Sequence, residues 1–125
     1  MEKKIKIALA LGGGGAKGVA HIGVIKVLQR EGFIVSALAG TSVGACIGAA
    51  MAAGLTIEEL EDKALTLTKN WNRLIKPGFK NSLISNKGLL DYLDTLFHQA
   101  DFKDIIIPLK IVAADLASGK EIIIK

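Results

Sequence analysis

A serine between glycines is the residue whose setting in this sequence best fits covalent catalysis. Gly40-Thr41-Ser42-Val43-Gly44 fits the pattern G-x-S-x-G and lies between a short apolar run and a stretch of small residues. In that context the serine occupies a sharp turn from a strand into a helix, where glycines let the neighbouring backbone approach closely. The helix N-terminus favours an alkoxide or an oxyanion there. We therefore predict Ser42 as a nucleophile, with Gly40 and Gly44 supporting its turn.

A run of glycines earlier in the chain could stabilise the negative charge that such a reaction develops. Residues 13–18 read GGGAKG and also follow an apolar run and precede a helical pattern. Successive N–H groups of such a run can turn inward and bind an anion, and one donor to an oxyanion can lower a barrier by about 3 kcal/mol. The predicted oxyanion donors are Gly13, Gly14 and Gly15, with Lys17 and Gly18 as supporting residues.

Two nucleotide-binding motifs compete with this interpretation of the glycine run. The run fits the dinucleotide fingerprint G-x-G-x-x-G, but that fingerprint requires an acidic residue near the end of the second strand. The corresponding stretch reads Ser36-Ala37-Leu38-Ala39 and contains no acid. A phosphate-binding P-loop requires Gly-Lys-Ser/Thr, whereas glycine follows the lysine here. Purely structural roles are a further alternative for each motif alone, since glycines can serve packing and a serine can cap a helix.

The order of predicted elements brings the two motifs together. Strands alternate with helices, which predicts a parallel sheet flanked by helices, so that both turns lie at the same sheet edge. The predicted strands are Ile5–Leu11, Phe33–Ala39, Leu109–Ala114 and Glu121–Ile124. The predicted helices are Val19–Gln29, Ala45–Ala53, Thr56–Thr68 (opened by a Thr56/Glu59 capping box) and Leu89–His98, with residues 70–85 irregular.

Composition and charge restrict the class of protein. The 125 residues suffice for one domain, and half of them are hydrophobic. The net charge of +4 could favour an anionic surface such as phospholipid head groups, although a solvated basic face is the simpler explanation. Lysines and arginines are scattered, which disfavours nucleic-acid binding. The single cysteine, Cys46, predicts a buried thiol in a reducing compartment, and no signal peptide is recognisable, so we expect a cytoplasmic protein.

The stretch from Ala8 to Ala53, with LALGGGGAKGVAHIGVIKVL and AGTSVGACIGAAMAAG, resembles the opening of the patatin-like phospholipase family. IVAADLASGKE, later in the chain, resembles the strand pair that follows. The resemblance implies an α/β three-layer sandwich with a mainly parallel sheet. It also implies a lipid acyl hydrolase with a Ser–Asp dyad, in which Ser42 is the nucleophile and Gly13, Gly14 and Gly15 form the oxyanion loop. No metal or organic cofactor is implied.

The sequence departs from that family in one respect. The family's catalytic aspartate lies in an Asp-Gly motif further along the chain, and no Asp-Gly dipeptide occurs here. We therefore expect residues 1–125 to be the N-terminal part of a single patatin-like domain. By itself this chain is expected to be inactive and prone to self-association through exposed sheet surface. The alternative function is a non-catalytic lipid- or acyl-binding module on the same scaffold.

Other residues could in principle supply the missing acid or base. Asp115 follows a predicted strand, but a role in its own turn is favoured, because it matches a turn aspartate of the family. A Ser–Asp–His triad would need His98 with Asp91 or Asp94, which share one short helix with it, whereas such triads draw on separate loops. His21 is interpreted as packing or hydrogen bonding near the glycine loop.

Overall fold

The described part of the chain folds into a four-stranded sheet with helices packed against it. The computed structural model describes residues 4–69, 86–97 and 100–125. The strands are β1 (Ile5–Leu11), β2 (Phe33–Gly40), β3 (Leu109–Ala114) and β4 (Glu121–Ile124). The helices are α1 (Ala20–Arg30), α2 (Val43–Ala52), α3 (Ile57–Lys69) and α4 (Asn86–Phe97), with 3₁₀ turns at Gly15–Val19 and Phe102–Asp104.

The sheet is mainly parallel, as predicted. Its order is β1-β2-β3-β4; the first three strands are parallel and β4 pairs antiparallel with β3. Both crossovers, from β1 to β2 and from β2 to β3, step in the same direction across the sheet. Since such crossovers are right-handed, their helices belong on one face of the sheet. In agreement, α2 contacts each of the other described helices as well as β1, β2 and β3.

The core lies between that face of the sheet and α2. Small side chains let this helix approach closely: Ala50 and Ala52 are completely buried, and a Cβ on Gly48 would lie 3.4 Å from Leu109 Cδ1. The alternating residues of the strands supply the other side of the contact, with Leu11 and Leu38 buried. Because α2 begins directly after Ser42, this packing fixes the turn that carries the serine.

The opposite face of the sheet is open in the described part of the chain. Lys6, Ala8 and Lys110 are exposed there. A shallow hollow of about 750 Å³ on this face is lined by Ala8, Ala37, Ala39 and Lys110, among others. The α/β class with a mainly parallel sheet is therefore confirmed. Of the three layers expected, the described residues form the sheet and one helical layer.

Most predicted element bounds hold to within a residue or two. The Thr56/Glu59 capping box is confirmed by two hydrogen bonds: the Thr56 N–H donates to Glu59 Oε2 at 2.7 Å and the Glu59 N–H donates to Thr56 Oγ1 at 3.2 Å. Helix α4 begins at Asn86, three residues earlier than predicted. The irregular segment predicted for residues 70–85 lies outside the described residues, as does His98.

Candidate active site

Ser42 occupies a strained backbone conformation at the turn from β2 into α2. Its φ is 54° and its ψ is −129°, and among the described residues it is the one non-glycine residue with positive φ. Such a conformation costs on the order of 1–3 kcal/mol and persists when the surrounding structure enforces it. The turn is therefore of the kind that projects a nucleophilic serine between a strand and a helix.

Hydrogen bonds from both neighbouring strands enforce the turn. The Thr41 N–H donates to Leu11 O at the end of β1 at 3.1 Å. The Thr41 hydroxyl donates to Val112 O in β3, also at 3.1 Å. On the helix side, the Ala45 N–H donates to Ser42 O at 2.9 Å. The serine is thus attached to three strands and one helix rather than to a free loop.

The two glycines of the serine motif allow close backbone contacts. A Cβ on Gly44 would lie 2.1 Å from Leu11 O and 2.6 Å from Gly12 O, both backbone atoms that cannot move aside easily. A Cβ on Gly40 would lie 2.6 Å from Gly44 O. Any larger residue at either position would collide with backbone atoms. Close packing therefore accounts for both glycines of the motif.

The glycine loop meets the serine turn at the same end of the sheet. A Cβ on Gly13 would lie 3.3 Å from Ser42 Cβ and 3.8 Å from Ser42 Oγ, so the loop backbone passes directly beside the hydroxyl. Gly14 and Gly15 have φ values of 143° and 56°, which suit glycine. Their Cβ positions do not border Ser42: that of Gly14 borders Gly18 and Lys17, and that of Gly15 is open. The sequence-based expectation that the two motifs adjoin is met, most closely at Gly13.

Lys17 and Gly18 have different positions in the loop. Lys17 has an exposed side chain, and its N–H donates to Gly14 O at 3.1 Å, closing the 3₁₀ turn. It lies just ahead of α1, whose N-terminus does not favour a cation. Gly18 is buried, and a Cβ there would lie only 2.1 Å from Val43 Cγ1. Gly18 therefore lets the loop close over the first residue of α2.

His21 contacts the loop directly. Its Nε2 lies 2.8 Å from Gly12 O, and because a carbonyl only accepts, Nε2 carries the proton of this hydrogen bond. The sequence indicated hydrogen bonding or packing near the loop for this residue. The helical spacing could not show which atom the ring would reach.

Asp115 belongs to the turn between β3 and β4, as the sequence favoured. One carboxylate oxygen accepts the Ala117 N–H at 3.1 Å and the other accepts the Ser118 hydroxyl at 2.5 Å. The Ser118 hydroxyl and, second, the Ala117 N–H hold the pKa of this carboxyl below its ordinary value. Both oxygens are thus engaged within the turn, and the sequence-based interpretation is confirmed.

The side chains of Asp91 and Asp94 are not brought to the serine by any contact seen in the described structure. Asp91 and Asp94 are exposed on α4, and the histidine their triad would need, His98, lies outside the described residues. Cys46 is partly buried on α2, and burial raises the pKa of its thiol. Across the described ranges, no group of three His, Cys, Asp or Glu side chains is placed to hold a metal ion.

An apolar cavity of about 70 Å³ lies among the four helices of the described segments and is lined at one side by Val43. Cys46 and Ile47 continue its wall along α2, since residues three and four apart share a helix face. None of the helices in the described segments is long and apolar enough to cross a membrane.

Comparison with known proteins places the chain in a family. The Patatin-like phospholipase family model matches residues 9–122, and the chain belongs to that family. It is similar to an uncharacterized NTE family protein of Mycobacterium tuberculosis, with 36% identity over 119 residues, or 94% of this chain and 33% of the relative. It is also similar to patatin-like phospholipase domain-containing protein 6 of Homo sapiens, with 30% identity over 118 residues, or 90% of this chain and 9% of the relative. The chain thus spans about a third of the mycobacterial relative and a tenth or less of the human one.

Proposed function

We propose that the protein is a serine-dependent lipid acyl hydrolase of the phospholipase A or esterase type, with Ser42 as the nucleophile. The observation that carries the proposal is the strained conformation of Ser42 directly beside the Gly13 backbone. Backbone strain of this kind is found most often at functional sites, where it positions a reacting group. Family membership supports the hydrolytic class of reaction.

The proposed reaction proceeds in two steps. The Ser42 oxygen attacks the ester carbonyl while a general base takes its proton, and the alcohol leaves to give an acyl-enzyme. Water then attacks the acyl-enzyme, releases the fatty acid and regenerates the serine. In each step the negative oxygen of the tetrahedral intermediate is stabilised by N–H groups of the Gly13–Gly15 loop and by the N-terminus of α2.

The general base is proposed to be an aspartate from outside these 125 residues. The family resemblance implies an Asp-Gly motif, which the sequence lacks, and Asp115 is engaged in its own turn. A serine hydroxyl without a base is a poor nucleophile at neutral pH. The 125-residue chain is accordingly proposed to be the N-terminal part of one patatin-like domain, essentially inactive by itself.

The proposed substrate is a lipid or other acyl ester. The apolar cavity that Val43 lines begins one residue along the chain from Ser42, and the exposed side chain of Lys17 in the glycine loop could contact anionic head groups. Peripheral contact with an anionic membrane, a cytoplasmic location and self-association of the isolated chain through the open sheet face belong to the same proposal.

The first test is ester hydrolysis by the full-length protein. Ser42→Ala should lower kcat for a soluble short-chain p-nitrophenyl ester by several orders of magnitude, because the attacking oxygen is removed. Ser36→Ala is the matched control: this exposed serine of β2 donates to Ile7 O at 3.0 Å, and its loss should change kcat less than twofold. Unchanged turnover in Ser42→Ala would remove Ser42 as the nucleophile.

A non-catalytic lipid- or acyl-binding module is the second candidate, favoured by the missing Asp-Gly motif and the engaged Asp115. Such a module would bind acyl esters without turning them over, and Ser42 would not react with a fluorophosphonate. Stoichiometric labelling of Ser42 would exclude it.

A further inference from the structure

We propose that His21 is a positioning residue for the predicted oxyanion loop: by holding the Gly12 carbonyl, it fixes the orientation of the Gly13 N–H beside Ser42. This inference rests on the proposed function for its catalytic consequence. Its structural part, the ordering of the loop by one side chain, stands on the geometry alone.

The position of His21 explains its reach. It is the second residue of α1, and long helical side chains point back towards the helix N-terminus. Its ring therefore extends over the loop that precedes the helix, and Nε2 comes within 2.8 Å of Gly12 O, nine residues earlier. The contact joins the start of the loop to the rigid helix that follows it.

Holding the Gly12 carbonyl has a consequence for the next residue. The peptide between Gly12 and Gly13 is planar and trans, so its carbonyl and its N–H point in opposite directions. The carbonyl oxygen accepts from the His21 ring and also lies close to Gly44, whose added Cβ would be only 2.6 Å from it. The Gly13 N–H is thus held on the side away from His21 and Gly44.

The other restraints on the loop are the packing of Gly13 beside Ser42 and the bond from the Lys17 N–H to Gly14 O, and neither holds the Gly12 carbonyl by a hydrogen bond. Gly12 to Gly15 are exposed, and a Cβ on Gly12 would meet nothing within 4 Å. Glycine is the residue with the greatest backbone freedom, so four in succession would sample many orientations without a tether. A preorganised donor to an oxyanion is worth roughly 100- to 1,000-fold in kcat. If the Gly13 N–H is no longer held in one orientation, part of this contribution to kcat should be lost.

The experiment compares three variants in the full-length protein. His21→Gln keeps an N–H donor at nearly the reach of Nε2, His21→Asn has the same amide one methylene shorter, and His21→Leu removes the donor. The readouts are kcat and KM for a soluble ester, the second-order rate of fluorophosphonate labelling, and the NMR order parameter of the Gly13 amide. Gln29→Leu, at an exposed position of the same helix, is the control for adding a leucine.

We expect His21→Leu and His21→Asn to lower kcat and the labelling rate about 10- to 100-fold with KM within threefold, and His21→Gln to stay within about fivefold of wild type. The Gly13 amide should become mobile in the first two variants only. If His21→Asn and His21→Gln have the same kcat and the same order parameter for the Gly13 amide, the proposal is overturned. If wild type shows no Ser42-dependent labelling, the proposed function fails instead, and the order parameter still decides whether His21 orders the loop.

Discussion

Gly18 and Val43 form a contact whose energetics can be worked out from the structure. A Cβ on Gly18 would lie 2.1 Å from Val43 Cγ1 and 2.9 Å from Cγ2, far inside van der Waals contact. Valine in a helix has one strongly preferred rotamer, so its methyl groups cannot turn away freely. Gly18→Ala should therefore act as overpacking and lower the free energy of unfolding by about 1–3 kcal/mol.

Removing the obstructing methyl groups should relieve most of that loss. Val43→Ala alone deletes two methyl groups of a partly buried side chain, which costs about 1 kcal/mol. If the two positions were independent, the free energy of unfolding of the double variant would fall by about 2–4 kcal/mol. Because the double variant retains only the 3.0 Å approach to Val43 Cβ, we expect it to lose about 1–2 kcal/mol in total. The midpoints of the two ranges, about 3 and about 1.5 kcal/mol, correspond to a coupling of about 1.5 kcal/mol between the two substitutions.

Urea denaturation followed by circular dichroism would measure the four members of this cycle. Gly23→Ala is the matched control, since Gly23 is exposed in α1 and its Cβ would meet nothing within 4 Å. This control substitution should leave the free energy of unfolding unchanged or raise it by about 0.5–1 kcal/mol. Additive losses in the Gly18/Val43 cycle, or a Gly18→Ala variant as stable as Gly23→Ala, would refute the contact between loop and helix.

Three further predictions follow from the site and its surroundings. Asp115→Asn should be less stable than wild type at neutral pH, and urea titrations should show the difference shrinking as pH falls from 3.8 through the lowered pKa of Asp115. Iodoacetamide should leave turnover nearly unchanged at pH 7, because burial raises the pKa of Cys46 and keeps the thiol protonated; rapid inactivation would contradict this. The purified 125-residue chain should hydrolyse esters only at a small residual rate, and robust Ser42-dependent turnover by it would contradict an external base.

The sequence was sufficient for the parts of the site that depend on local pattern. Glycines at sharp turns, apolar runs and helical periodicity indicated β1, β2 and α2, and the parallel pairing of neighbouring strands brought their two following turns to one edge. The Thr56/Glu59 capping box and the Asp115 turn depend on contacts within a few residues, so they too were predictable.

Contacts between distant residues could not be predicted in the same way. Nothing in the spacing showed that Gly18 would meet Val43, or that the His21 ring would reach Gly12 O, because both depend on how the loop closes over α2. The same holds for the helical layers: which face α1 and α2 cover follows from strand order, and the sequence pattern does not fix strand order. These contacts and the placement of the helices thus depend on long-range packing, which the local sequence pattern does not specify.

The central claim, that Ser42 is an activated nucleophile, is tested most directly by locating the adduct of a fluorophosphonate. The full-length protein would be labelled, digested with trypsin and analysed by mass spectrometry. Cleavage after Arg30 and Lys63 gives one peptide that contains both Ser36 and Ser42, so fragment ions must assign the modified residue. We predict one adduct per chain on Ser42, retained in Ser36→Ala and lost in Ser42→Ala. An unmodified peptide, or an adduct that persists in Ser42→Ala, would contradict the claim.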